Sequence, residues 1–237
     1  MSYFSFAYKS RMSKTYFVTG TDTDAGKTLI CQALLIKATE NQLKAFALKP
    51  VAAGATLTEQ GLTNNDALLL QQAANVKLPY VQINPIVLQQ AIAPHIAAEQ
   101  EGRKIVSSQL MGFIRGALLH KADLKLIEGA GGWLVPINSR EYLSCIAKEL
   151  QLEVILVVGI KLGCLNHALL TARAIALDGV KIAGWIGSQI EKDMPALKAN
   201  IATLQQHLAA PCLGVVSYHD NITAAEAAAY ITLPQCL

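Results

Sequence analysis

Gly20-Thr21-Asp22-Thr23-Asp24-Ala25-Gly26-Lys27-Thr28 follows the apolar run Tyr16-Phe17-Val18 and leads into Leu29-Ile30-Cys31-Gln32-Ala33-Leu34-Leu35. A strand, a glycine-bounded loop and a helix in that order put backbone N–H groups at a helix N-terminus, where an anion is held. Lys27 adds an ammonium that can bridge phosphates, and Thr28 a hydroxyl for Mg²⁺. The spacing is irregular, with five residues between Gly20 and Gly26 and Thr21 where the usual pattern has glycine. These residues alone admit two readings: a nucleotide-binding loop, or an ordinary glycine turn with a surface lysine.

Short apolar runs recur along the chain at 15–19, 45–48, 124–128, 154–159, 181–186 and 212–216, with helix-length stretches between them. Val154–Val158 is apolar at every position, as expected of a strand covered on both faces. The spacing predicts helices near 27–41, 66–74, 107–121, 142–150, 167–178, 194–208 and 223–230, and loop-rich excursions at 52–62 and 75–106. The expected fold is α/β: a single P-loop NTPase-like domain over 12–237, its mostly parallel sheet flanked by helices. Ligands of such sheets bind beyond the carboxyl ends of the strands, so the residues that follow each run carry the chemistry.

The chain has 237 residues, of which 52% are hydrophobic and 16% charged, with a net charge of +3. That composition argues for a buried core and against a nucleic-acid-coating or disordered chain. Five cysteines, at 31, 145, 164, 212 and 236, show no paired spacing, so neither a disulfide framework nor a zinc site is expected and a cytoplasmic location fits. No apolar run approaches the roughly 20 residues that span a bilayer. Residues 1–11 lack the features of a secretory signal and read as a disordered extension before a start at Met12.

Three strand ends stand out. Lys49-Pro50 closes the run Phe46-Ala47-Leu48, so Lys49 is either a second lysine near the phosphates or a solvated strand-end lysine. Asn64-Asn65-Asp66 precedes Ala67-Leu68-Leu69-Leu70, offering either a metal-binding acid or a helix N-cap. Glu128 ends Leu124-Lys125-Leu126-Ile127 and precedes Gly129-Ala130-Gly131-Gly132, as a metal-binding strand-end acid or as a solvent-facing glutamate before a glycine turn. Because Mg²⁺ needs only one or two carboxylates beside phosphates and water, Thr28, Asp66 and Glu128 suffice as its protein ligands. Lys161-Leu162-Gly163-Cys164-Leu165-Asn166-His167 ends at an expected helix N-terminus, whose N–H groups could hold a carboxylate or simply form a βα connection. His95 and His167 are isolated from acids and from each other in sequence, and packing or surface roles are expected for them.

Taken together, the loop at 20–28, Leu48-Lys49-Pro50-Val51-Ala52, Asn64-Asn65-Asp66-Ala67-Leu68, Pro94-His95, Glu128-Gly129-Ala130-Gly131-Gly132-Trp133 and Gly159–Ala168 resemble dethiobiotin synthetases from about Met12 to the C-terminus. The extra residue in the phosphate loop is that family's own form. The resemblance implies a Mg²⁺-dependent enzyme that uses ATP as co-substrate. Its other substrates are 7,8-diaminononanoate (diaminopelargonate) and CO₂ or bicarbonate, and a carbamate and then a carbamic-phosphoric mixed anhydride precede ring closure to dethiobiotin. It implies Lys27, Lys49 and Thr23 in catalysis, with Thr23, Lys49, Ala53, Leu162, Gly163, Cys164 and Asn166 at the substrate. For the nucleotide it implies Asp24, Ala25, Gly26, Lys27, Thr28 and Leu29, then Glu128, Gly129, Ala130 and Gly131, and Ser188, Gln189, Val216, Ser217 and Tyr218 around the base. It also implies a homodimer, with the loop matching 161–167 reaching the substrate carboxylate across the interface, and no nucleic-acid or membrane partner.

Two departures are visible. Ala53 stands where the family often has a serine whose hydroxyl contacts substrate, and Ser188-Gln189 where many relatives have Asn-Asp, the Asn reading adenine. Weak discrimination between nucleoside triphosphates is therefore expected. The competing readings are cofactor-amidating synthetases, which need an ammonia source, and a nucleotide-driven switch or partitioning ATPase, which typically carries a further lysine early in the loop; positions 21–25 contain none.

Overall fold

The computed structural model describes residues 13–59 and 61–235. The expected extension at 1–11 lies outside the described residues. The strands are β1 (Lys14–Gly20), β2 (Ala45–Leu48), β3 (Val51–Ala52), β4 (Thr56–Thr58), β5 (Gly61–Thr63), β6 (Ile86–Val87), β7 (Leu124–Glu128), β8 (Glu153–Ile160), β9 (Ile182–Gln189) and β10 (Cys212–Val216). The helices are α1 (Lys27–Glu40), α2 (Asn65–Ala73), α3 (Tyr80–Ile83), α4 (Pro94–Gln100), α5 (Ser107–Leu118), α6 (Cys145–Glu149), α7 (Cys164–Leu177), α8 (Leu197–His207) and α9 (Ala224–Ala228).

Each long apolar run forms a strand of one sheet, ordered β10-β9-β8-β1-β7-β2 and parallel at every pairing. Val18, Leu126, Ile155, Leu156 and Ile186 are fully buried, because helices cover both faces of a parallel sheet. Each such side chain removed from water is worth about 1.5–3 kcal/mol. The chain leaves β1 through α1 toward the β2 edge and leaves β8 through α7 toward the β10 edge. Right-handed crossovers then put α1 and α7 on opposite faces, and α1 packs on α2 and α9 while α7 packs on α8. The connections diverge at β1, between β7 and β8, and a crevice opens at the carboxyl end of such a switch point.

The excursions expected as loops hold short elements. β3 pairs with β6 in parallel, β4 pairs with β5 as an antiparallel hairpin, and α3 and α4 flank β6. Among the described residues no helix is long and apolar enough to cross a membrane. Cys31, Cys145, Cys164 and Cys212 are free thiols.

Candidate active site

The loop after β1 continues that strand's ladder before it turns. Thr21 N donates to Val157 O at 2.9 Å, and the Thr21 hydroxyl accepts from Gly159 N at 3.2 Å. The residue that replaces the expected glycine thus ties the loop to β8. Gly26 sits at φ +86° as the N-cap of α1, a left-handed position that glycine adopts without strain. A Cβ there would lie 2.5 Å from Ser188 Oγ at the end of β9. Ala25 is buried beneath this loop against Gly159, while Thr23 and Asp24 face outward.

Lys27 is 7% exposed, which excludes the surface-lysine reading. Its ammonium donates to Asp22 O at 3.0 Å. Burial, and then the nearby Lys49 cation, hold its pKa below the ordinary lysine value. Lys49 is only 4% exposed at the end of β2, so the solvated-lysine reading fails too. It donates to Glu128 Oε1, to Asp66 Oδ2 at 3.1 Å and to Gly129 O at 3.4 Å. Burial alone would lower its pKa, but the carboxylates of Glu128 and Asp66 outweigh that and raise it. The ammonium is charged throughout the neutral range.

Glu128, the last residue of β7, is fully buried rather than solvent-facing. Its Oε1 also accepts from Thr28 Oγ1 at 2.8 Å, whereas its Oε2 is buried without a hydrogen-bond partner among the described residues. Asn64 settles the alternatives at α2: its side chain accepts from Ala67 N at 3.3 Å and is the N-cap. Asp66, in the first turn, is thereby left to face Lys49.

These groups lie on the wall of a cleft of about 820 Å³. Thr23, Asp24, Gly26, Lys27, Thr28 and Leu29 contribute one side, and Lys49, Ala53, Asp66, Glu128, Ala130 and Gly131 the other. Ala53 brings no hydroxyl, but its carbonyl accepts from Asn64 Nδ2 at 3.1 Å. Two apolar wall segments escaped the sequence reading, Ala91–Ala93 before α4 and Leu134–Pro136 after the glycine loop. No chemistry marks them in sequence, although Pro94 at the first position of α4 was a readable helix start.

Other expected residues lie apart from this wall. Gly129 sits behind it, donating its N–H to Val18 O at 2.9 Å. Ser188, Gln189, Val216, Ser217 and Tyr218 gather at the ends of β9 and β10. Gln189 Oε1 accepts from Tyr218 N at 3.2 Å, and its Nε2 donates to Glu191 O at 2.9 Å and Lys192 O at 3.3 Å. Leu162, Gly163, Cys164 and Asn166 begin α7 outside the cleft wall, with Gly163 at φ +90° as N-cap. Lys161 joins that turn to the phosphate loop through Asp22 at 3.2 Å. Burial would raise the Asp22 pKa, but Lys161 and the Thr23 N–H overcome it and lower it. Among the described residues no three His, Cys, Asp or Glu side chains form a metal cage.

Residues 14–226 match a family model described as an AAA domain. The chain is 51% identical to the ATP-dependent dethiobiotin synthetase BioD of Cellvibrio japonicus (strain Ueda107), over 94% of this chain and 98% of that one. It is 48% identical to the protein of the same name from Marinobacter nauticus, over 92% of this chain and 94% of that one. Among solved structures, the signal recognition particle receptor FtsY of Elizabethkingia anophelis superimposes with a TM-score of 0.52 at 15% identity, covering 93% of this chain and 65% of that one. That likeness is one of fold alone.

Proposed function

The chain belongs to the ATP-dependent dethiobiotin synthetase family, and from that premise we propose how its residues divide the reaction. It is an ATP-dependent cyclo-ligase of biotin biosynthesis, closing the ureido ring of dethiobiotin from 7,8-diaminononanoate and CO₂ with release of ADP and phosphate. The division of roles rests above all on the buried Lys49 ammonium, held between Glu128 and Asp66 beside Thr28.

One amine of the substrate takes up CO₂ as a carbamate. That anion is a poor electrophile until ATP phosphorylates it, and the second amine then attacks the mixed anhydride and expels phosphate. Lys49 neutralises the carbamate and aligns it with the γ-phosphate. Lys27, at the start of α1, leaves Asp22 O for the phosphate oxygens, where preorganised positive charge stabilises the transferring group. Thr23 and Asp24 stand at the open side of the loop, against the amines and phosphates. Ile92, Leu134 and Val135 form an apolar wall that keeps water from the anhydride.

The residues suit Mg²⁺. The unpartnered Glu128 Oε2, the Thr28 hydroxyl and the half-exposed Asp66 carboxylate are hard oxygen donors that leave room for phosphate and water. Bound there, the ion would neutralise charge on the transferring phosphate. Ser188, Gln189 and residues 216–218 would border the base.

A homodimer is supported by the exposed leucines Leu170 and Leu177 on α7 and Leu162 in the turn before it. In such a pair the α7 N-terminus of one protomer would hold the carboxylate of its partner's substrate. A single domain over 12–237, small-molecule substrates alone and a cytoplasmic location complete the reading. Mass detection of dethiobiotin from diamine, bicarbonate, ATP and Mg²⁺, each omitted in turn, tests it. Product is expected only from the complete mixture, and ATP turnover that ignores the diamine would overturn it.

A further inference from the structure

The segment Gly129–Pro136 lines the cleft at both ends but not at its centre. Ala130 and Gly131 face the cleft before Trp133, and Leu134, Val135 and Pro136 face it afterwards. Trp133 itself turns inward and is buried. Its indole meets Phe17 edge to face, at 6.0 Å between centroids and 76° between planes. Phe17 Cζ in turn lies 3.0 Å from where a Cβ on Gly129 would stand, so the two rings form the floor beneath the glycine loop. Above that floor the loop approaches the phosphate loop: a Cβ on Gly132 would lie 3.5 Å from Gly20 O, and one on Gly131 3.6 Å from Thr23 Oγ1.

One polar contact fixes the indole in this pose. Trp133 Nε1 donates to Asp178 Oδ2 at 2.8 Å, and Asp178 Oδ1 accepts from Lys148 Nζ at 2.7 Å. Asp178 is the C-cap of α7 and touches neither cleft nor phosphate loop. Partial burial would raise its pKa, but the Lys148 and Trp133 hydrogen bonds prevail and lower it, so it accepts as a carboxylate. A buried indole N–H that loses its acceptor pays a desolvation cost or rotates to find another partner, and a rotation of Trp133 would move both cleft-lining halves of the segment.

We propose that Asp178 is a positioning residue for ring closure: by holding the Trp133 indole from the far end of α7, it sets Gly129–Pro136 against the phosphate loop. The proposal rests on the synthetase reading above. Its effect reaches both ligands, because Trp133 lies against Phe17 of β1 while Gly131 and Gly132 approach the phosphate loop.

The test compares Trp133→Phe, which keeps a ring on Phe17, with Asp178→Ala, the double variant and Lys148→Ala. Each is assayed well below its measured melting temperature, and dethiobiotin formation by the unaltered protein checks the synthetase reading separately. Trp133→Phe and Asp178→Ala are each expected to lower kcat about tenfold. They should also raise both the diamine KM and the ATP dissociation constant, and the double variant should be no worse than either alone. Lys148→Ala should keep full activity. If Asp178→Ala fails to fold, Trp133→Phe carries the test alone. Unchanged kcat in Trp133→Phe, additive losses in the double variant, or unaltered binding of both ATP and diamine would overturn the proposal.

Discussion

The phosphate end and the proposed base end of the cleft are both built from strand termini and the loops that follow, yet they use their polar groups in opposite ways. At the phosphate end Glu128 Oε2 is buried without a partner among the described residues, and the Lys27 ammonium rests on a loop carbonyl. At the base end the Gln189 amide already bonds Tyr218 N, Glu191 O and Lys192 O. A group bonded within its own chain gains little from a ligand, since one hydrogen bond is exchanged for another. With the base and metal placed as proposed, affinity is expected to concentrate on phosphate and metal, with little from the base.

The sharpest way to break that contrast is at Lys49. Lys49→Ala is expected to lower kcat by about 10³ or more. From its strand-end position alone the fold should survive intact. The structure modifies this, because the fully buried Glu128 loses its ammonium partner, at a cost of about 3–5 kcal/mol. Thermal melts should show that loss, with partial recovery in Lys49→Ala/Glu128→Gln; wild-type turnover would remove Lys49 from the chemistry. The next effect in size concerns pH. Lys27 has a lowered pKa and Lys49 a raised one. As pH rises, Lys27 loses its proton first, below the ordinary lysine value of 10.5, so nucleotide affinity should fall there while Lys49 is still charged. The sign for stability is opposite at the two sites. Charged Lys49 stabilises the fold fully below its unfolded pKa, and that contribution is lost as pH climbs through its higher folded value. Buried Lys27 disfavours the charged fold, and deprotonation relieves this. Calorimetric titration of ATP binding across pH checks the order.

Smaller effects probe each end separately. Thr28→Val should raise the Mg²⁺ concentration for half-maximal activity about tenfold, and unchanged metal dependence would count against its ligand role. ATP, CTP and GTP should turn over with kcat/KM values within about tenfold of one another. A strong preference for ATP would show that the base end does more than its internal bonding suggests. Gln189→Ala should change kcat/KM for ATP by less than about threefold, its bonds being structural.

The sheet was legible because its strands are runs such as Val154–Val158, whose burial leaves no room for polar residues. The hairpin of β4 and β5 was not, since Thr56, Leu57 and Thr58 are all exposed and three residues carry no period. α3 and the two-residue strands β3 and β6 are too short to leave a pattern. Within the cleft, the charged residues Lys49 and Glu128 were visible as strand-end candidates, although position alone left each with a solvated alternative. The wall at Ala91–Ala93 did not, because plain apolar residues acquire their role only when the chain folds back beside Lys49. Nor did Asp178 give a signal, its meaning lying in one contact with Trp133 from 45 residues away.

The approach of Ser188 to Gly26 bears on any attempt to alter nucleotide preference. A single methyl on that glycine would collide with the serine hydroxyl at 2.5 Å, so strand end and loop share one small space. A bulkier side chain at 188 that kept the direction of the serine hydroxyl would press on the Gly26 turn. Any larger side chain at 188, the Asn of relatives included, must therefore turn away from Gly26, and that fixes the direction from which it can meet a base.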